Sequence, residues 1–176
     1  MRIRRFAPPD RDGIAALLDS DDTFAPEEVA VAMELVDAAC AQPDGDYLLL
    51  VCDDEDGPVC GYVCYGRTPM TAATWDLYWV ATHRDARGRG VATRLVHAME
   101  AEIRRAGARI VRIETSQLEA YGSARALYAR LAYVEAGRIP DFYRPGDDLI
   151  ILTKRLDAAA ELRTTNAAPE RAAKLA

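Results

Sequence analysis

Residues 84–95 read RDARGRGVATRL, and this stretch with its flanks constrains the fold more than any other segment. Ala92, Leu95, Val96, Met99 and Ile103 recur at the spacing of one helical face, with Arg94, Glu100, Arg104 and Arg105 expected opposite. Gly107 supplies a stop. Upstream, TWDLYWVAT from Thr74 has the aromatic and β-branched composition of a strand. A strand must therefore hand over to a helix through arginine and glycine. At such a junction, unpaired backbone N–H groups and the positive end of the helix dipole converge on any anion placed there. Gly88 and Gly90 let a ligand approach the backbone with no Cβ in the way, and Arg87 and Arg89 add donors suited to phosphate oxygens. A pyrophosphate suits that place.

The remaining segments predict an α+β chain. MRIRRFA reads as a first strand ended by PPDRDG. Ile14, Leu17 and Leu18 mark a helix ending near DSDD, and a second runs from Pro26 to about Ala41 with Val29, Met33 and Val36 on one face. YLLLVCD, PVCGYVCYGRT and TWDLYWVAT then read as three strands with short turns, which implies an antiparallel meander. After the Gly107 stop come a strand ARIVRIET, a helix from Ser123 with Ala124, Leu127, Tyr128 and Leu131 inward, and strands YVEAGRI and LIILTKRL. IPDFYRPGDDLII is expected to link the last two. Residues 157–176 are rich in alanine and charge and lack an apolar face. A domain over 1–156 with a disordered or loosely helical tail is expected.

With 176 residues the chain has room for one domain with a substantial core. Asp plus Glu (28) exceeds Lys plus Arg (22), which argues against nucleic acid or an anionic membrane surface as the main partner. MRIRRFAPPD lacks the apolar core of a signal peptide, and no apolar run approaches the roughly 20 residues of a bilayer span. A cytoplasmic setting is the expectation. Cys40, Cys52, Cys60 and Cys64 read as buried free thiols and His83 and His97 as surface residues, so no metal site is expected. Neither a P-loop nor a dinucleotide-binding GxGxxG is present.

Arg87-x-x-Gly90-x-Ala92 at a strand-to-helix turn, followed later by ALYARLAY, resembles the GNAT superfamily of acyl-CoA-dependent N-acyltransferases. The resemblance runs from about Met1 to Leu156 and is densest from Thr74. It implies the acyl-CoA N-acyltransferase fold, a mixed and mostly antiparallel sheet of about seven strands with about four helices on both faces. It further implies that Arg87, Gly88, Arg89, Gly90, Val91 and Ala92 wrap the pyrophosphate of acetyl-CoA. The preceding strand would be bulged and splayed from its neighbour, so that Val80, Ala81 and Thr82 hold the pantetheine and acetyl carbonyl. Tyr128 matches the tyrosine that members often carry near the CoA sulfur. The sequence departs from the family at Arg84, where a proline is common, at Tyr121, often asparagine, and at Ala132, usually glycine. Ser123 is a substitute for the asparagine contact.

Acetyl transfer to an amine needs a neutral nucleophile, and a lysine-like amine of pKa about 10.4 costs roughly 4.6 kcal/mol to deprotonate at pH 7. Asp76 on the cleft strand is the candidate general base, with Glu114 the competitor; Tyr128 is the candidate acid for the leaving thiolate. A strand amide at or beside Val80 would stabilise the oxyanion. For the acceptor, Glu114, Asp141, Phe142, Tyr143 and Asp147 present carboxylate and aromatic surface to an ammonium group. Trp75, Tyr78 and Trp79 read as core or cleft wall.

The expected activity is acetyl transfer from acetyl-CoA to a primary amine on a small, amino-acid-like or peptide acceptor, by direct attack in a ternary complex. Two alternatives stand beside it: a catalytically silent acyl-CoA-binding module, and a protein Lys or N-terminal acetyltransferase. Because dimers are widespread in the family, a homodimer is one expected state.

Overall fold

The computed structural model describes residues 1–20, 23–54 and 57–157. Strand β1 (Arg2–Arg5) is followed by helices α1 (Arg11–Asp19) and α2 (Pro26–Ala41). Strands β2 (Leu48–Asp53), β3 (Val59–Arg67) and β4 (Thr74–Thr82) form the expected antiparallel meander. Helix α3 (Val91–Arg105) then crosses to β5 (Ile110–Ser116), and α4 (Gly122–Arg130) precedes the hairpin of β6 (Val134–Arg144) and β7 (Asp147–Arg155). All seven strands lie in one sheet in the order β1-β2-β3-β4-β5-β7-β6. Among the described residues only β4 and β5 pair in parallel, the pairing that a helical crossover permits.

The sheet is covered on both faces. Leu95, Val96, Met99 and Ile103 of α3 are fully buried against Val63, Leu77, Val111 and their neighbours. Ile14, Leu17 and Leu18 of α1 and Val36 of α2 are fully buried against the opposite face, on Val51, Tyr62 and Cys64. Val29 and Met33 pack there partly buried. Strand β3 is buried from Val59 to Gly66 because it carries core on both sides, hence its unbroken apolar run where a half-exposed strand would alternate. Cys52, Cys60 and Cys64 are buried free thiols, and Cys40 is partly exposed. Among the described residues no helix is long and apolar enough to cross a membrane.

Two readings change. Glu100, expected on the polar face of α3, is 4% exposed, because Lys154 Nζ lies 2.8 Å from each of its oxygens and the Tyr133 hydroxyl donates to it at 2.9 Å. The segment IPDFYRPGDDLII is a continuation of the β6–β7 hairpin, turning at Gly146 (φ +82°). Pro140 is accommodated because β6 is an edge strand with an irregular register between Ile139 and Arg144, and Pro145 falls in the turn between the strands. The stretch expected to form a loose tail lies, past Asp157, outside the described residues.

Candidate active site

The site begins where pairing fails. Strands β4 and β5 pair at Thr74–Ile110, Trp75–Val111, Asp76–Arg112 and Leu77–Ile113, and no further. Beyond that point β4 bulges: Cys64 opposes Trp79 and Tyr65 opposes Leu77, so Tyr78 is the extra residue. A bulge bends its strand and lets two consecutive side chains lean to one side. Both Tyr78 and Trp79 pack on the α1/α2 face, while Val80 returns to the α3 face. The two strands part around a cleft of about 1110 Å³.

One end of the cleft is the arginine and glycine loop. Gly88 and Gly90 have φ of +74° and +76°, the left-handed region that glycine enters freely, and a Cβ on either would meet nothing within 4 Å. The loop is therefore open on its outer side. Gly90 caps α3, which directs the unpaired amides of its first turn, at Val91, Ala92 and Thr93, toward the cleft that those residues line. Val80, Ala81 and Thr82 line it from β4, and Arg87 and Ser123 join from the loop and α4. The Thr82 hydroxyl is buried without a hydrogen-bond partner among the described residues. That orphaned group on the cleft wall, the open glycines and the helix terminus fit the diphosphate and amide-bearing arm of a CoA. Arg89 departs from the expectation: its side chain is not on the cleft wall but turns back to Asp54.

Tyr128 also lines the cleft, 5% exposed and edge-on to Tyr133 at 5.8 Å. Burial pushes its phenol well above the usual tyrosine range, so it stays protonated at neutral pH.

The remaining wall carries acidic and aromatic residues together with Arg130 and Arg144, the latter with Nε 3.6 Å from Asp147 Oδ2. Glu114 follows the last β4–β5 pair and lines the cleft, its side chain 45% exposed. Tyr143 and Asp147 reach it from the hairpin, and Asp147 accepts from Ser116 Oγ at 2.5 Å. Two of the expected acceptor-side residues are elsewhere. Asp141 does not line the cleft; its carboxylate accepts from Gly146 N at 2.6 Å and builds the hairpin turn. Phe142 stacks edge-on against Tyr143 at 5.0 Å and is half exposed.

Asp76 is the largest departure. It is 5% exposed and absent from the cleft wall. One oxygen accepts from Arg112 Nε at 2.6 Å and the other from Thr68 Oγ1 at 2.9 Å. Its pairing register puts it one step before the strands part, with both carboxylate oxygens engaged.

Glu28 was not anticipated, and Tyr121 was noted only as a departure from the family's asparagine. Glu28, in the first turn of α2, accepts from Ala25 N at 2.8 Å and from the Tyr121 hydroxyl, and both residues line the acidic end. EE after a proline reads as an ordinary helix start, and nothing local to it points toward a residue ninety positions away.

A seven-stranded mixed sheet that splays at its one parallel pair, beside a glycine loop at a helix terminus, defines the acyl-CoA N-acyltransferase fold. The family profile described as an acetyltransferase (GNAT) domain matches residues 45–135, and the chain belongs to that acetyltransferase family. A protein of Desulfovibrio desulfuricans assigned to the GNAT family is 32% identical, with a TM-score of 0.84 over 88% of this chain and 98% of that one. An aminoglycoside 6'-N-acetyltransferase in complex with coenzyme A is 17% identical, with a TM-score of 0.68 over 89% of this chain and 97% of that one. The ribosomal-protein-S18-alanine N-acetyltransferase of Escherichia coli is also 17% identical, with a TM-score of 0.69 over 88% and 93%. These last two likenesses are of fold. Among curated proteins, none matches the sequence.

Proposed function

We propose that this acetyltransferase moves the acetyl group of acetyl-CoA to the primary amine of a cationic acceptor, with Glu114 as general base and Tyr128 as general acid. The reading rests on one observation. The cleft that opens beyond Leu77 and Ile113 is bordered at one end by the Gly88 and Gly90 loop and at the other by the carboxylates Glu28, Glu114 and Asp147. A coenzyme seated by the loop amides directs its thioester toward the point where the strands part, and an ammonium group is drawn to the acidic end.

Glu114 takes the place first assigned to Asp76, because its carboxylate lines the cleft whereas that of Asp76 is engaged beneath it. It accepts the proton of the attacking amine directly or through one water, a role typically worth about 10²–10⁴-fold. As the amine attacks, negative charge collects on the carbonyl oxygen. Backbone on the unpaired edge of β4, around Val80, is the candidate donor to it, and such a donor is typically worth about 2.7–4 kcal/mol. Collapse expels the thiolate, and the buried Tyr128 hydroxyl supplies its proton. Tyr78 and Trp79 shape the acceptor wall, with Tyr143 facing them from the hairpin.

The test is thiol release from acetyl-CoA across a panel of amines, diamines, amino acids and peptide α-amines. Release is expected with cationic primary amines, and E114Q is expected to lower kcat by about 10²-fold with acetyl-CoA binding retained. Tight acetyl-CoA binding with no release for any acceptor would instead identify a silent binding module.

A further inference from the structure

Asp76 and Arg112 face each other across β4 and β5 one pair before the strands part, and Glu114 stands two residues further along the same face of β5. Arg112 Nε lies 2.6 Å from Asp76 Oδ1, whereas Arg112 Nη1 lies 3.4 Å from Glu114 Oε1, a contact of charge without a short hydrogen bond. Thr68 Oγ1 holds the second Asp76 oxygen at 2.9 Å, so the Asp76 carboxylate cannot turn. The guanidinium is thus committed to the buried partner and only leans on the exposed one.

We infer that Asp76 is a positioning residue acting through Arg112: it anchors the guanidinium that steers Glu114 to the apex of the cleft. The inference rests on Glu114 being the base. Without Arg112, a half-exposed glutamate on a strand samples several rotamers, few of them aimed at the apex. With Arg112 but without Asp76, the guanidinium loses its 2.6 Å anchor and no longer presents a fixed contact to Glu114. The other charged and titratable groups on this part of the wall are Tyr143 and Arg144 of β6, Asp147 of β7 and Glu28 of α2, with Arg144 Nε 3.6 Å from Asp147 Oδ2. Tyr78 of β4 lies close to Asp76 and Arg112. Arg144 is thus paired with Asp147, and the ion pair to Glu114 comes from Arg112.

The test follows Glu114 directly. In full-length protein carrying ¹³C-labelled glutamate, the Glu114 side-chain signals, identified by their loss in E114Q, are recorded in the wild type, in D76N and in D76N/R112Q with three-bond couplings that read the Glu114 χ1 rotamer, alongside kcat and KM at pH 8. The wild type is expected to show one dominant rotamer and both variants an averaged coupling, with kcat of D76N severalfold lower and KM for acetyl-CoA unchanged. If D76N does not fold, D76E, which keeps the charge and moves the carboxylate by one methylene, carries the test by the same coupling. An unchanged coupling in folded protein overturns the inference and reduces Asp76 to a clamp on the seam. A loss of kcat in D76N as large as that in E114Q, with the coupling unchanged, overturns it in favour of Asp76 as the base itself. Full kcat in E114Q removes the base reading and the positioning role with it, an outcome the couplings distinguish from failure of the Asp76 anchor.

Discussion

Arg89 and Asp54 form a two-pronged ion pair beside the glycine loop, Nη1 at 2.8 Å and Nη2 at 3.0 Å from the two carboxylate oxygens. The pair holds an arginine of the anion-binding loop away from the cleft and puts a carboxylate near where the diphosphate is expected. Each partner drives the other further into its charged form. Both side chains are exposed, so the pair itself contributes little to folding. Its consequence is for binding. D54N is expected to tighten coenzyme A binding about two- to fivefold at low salt, by releasing Arg89 and removing the repulsion, and the gain is expected to vanish near 1 M salt. Calorimetric titration at two ionic strengths measures both.

Gly90 and Gly107 bracket α3, with φ of +76° and +84°, and a Cβ on either would stand in open space. Alanine at either position therefore meets the same obstacle, about 1–2 kcal/mol of left-handed strain, or roughly 2–8 °C in Tm for a chain of this length. The two differ in what lies outside. The methyl of Gly90→Ala intrudes where the diphosphate is proposed to approach the backbone, whereas that of Gly107→Ala stands in open space at the far end of the helix. Similar losses in Tm are expected, with only Gly90→Ala weakening coenzyme A binding. Equal affinities in both variants would count against the loop as the diphosphate site.

The strongly periodic parts of this fold were legible in the sequence: α3, the meander and the bounds of α2 all follow from residues within a few positions of one another. The glycine loop was legible for the same reason, since its backbone conformation is set by its own glycines. Asp76 was misplaced because a strand aspartate near a cleft gives no sign of which way its carboxylate is spoken for. Its partners, Arg112 and Thr68, meet it only through β4–β5 register and the turn before β4. The Glu28–Tyr121 contact spans 93 positions and exists only because α2 and the start of α4 meet over the cleft. The segment IPDFYRPGDDLII was read as a link between the last two strands, whereas β6 continues to Arg144 and β7 starts at Asp147, because an irregular edge strand accommodates Pro140.

Tyr128→Phe isolates the acid. The ring keeps its packing against Tyr133, so coenzyme A binding and Tm are expected to stay close to the wild type. kcat is expected to fall by about 10²-fold. Because burial pushes the phenol upward, the wild-type enzyme should lose no activity through Tyr128 ionisation up to about pH 10, the ordinary tyrosine midpoint. A descending limb below that pH that disappears in Tyr128→Phe would contradict this assignment.

Glu100 and Lys154 test how the α3 face tolerates charge. The carboxylate is 4% exposed, held by Lys154 Nζ at 2.8 Å on both oxygens and by the Tyr133 hydroxyl at 2.9 Å. The ammonium also sits 5.3 Å above the Tyr133 ring. Such a pair contributes little net stability, because attraction in the interior mostly offsets the desolvation of both charges; breaking it on one side is another matter. Lys154→Met leaves a carboxylate without its counter-ion and is expected to cost about 3–5 kcal/mol, read as a lower urea midpoint at unchanged m-value. Glu100→Gln together with Lys154→Met removes both charges while keeping an acceptor for Tyr133. That double variant is expected to recover more than half of the loss, so the two substitutions are strongly non-additive. Additive losses would mean that Lys154 stabilises the fold through its aliphatic stem alone, and that the ammonium makes no energetic contact with Glu100.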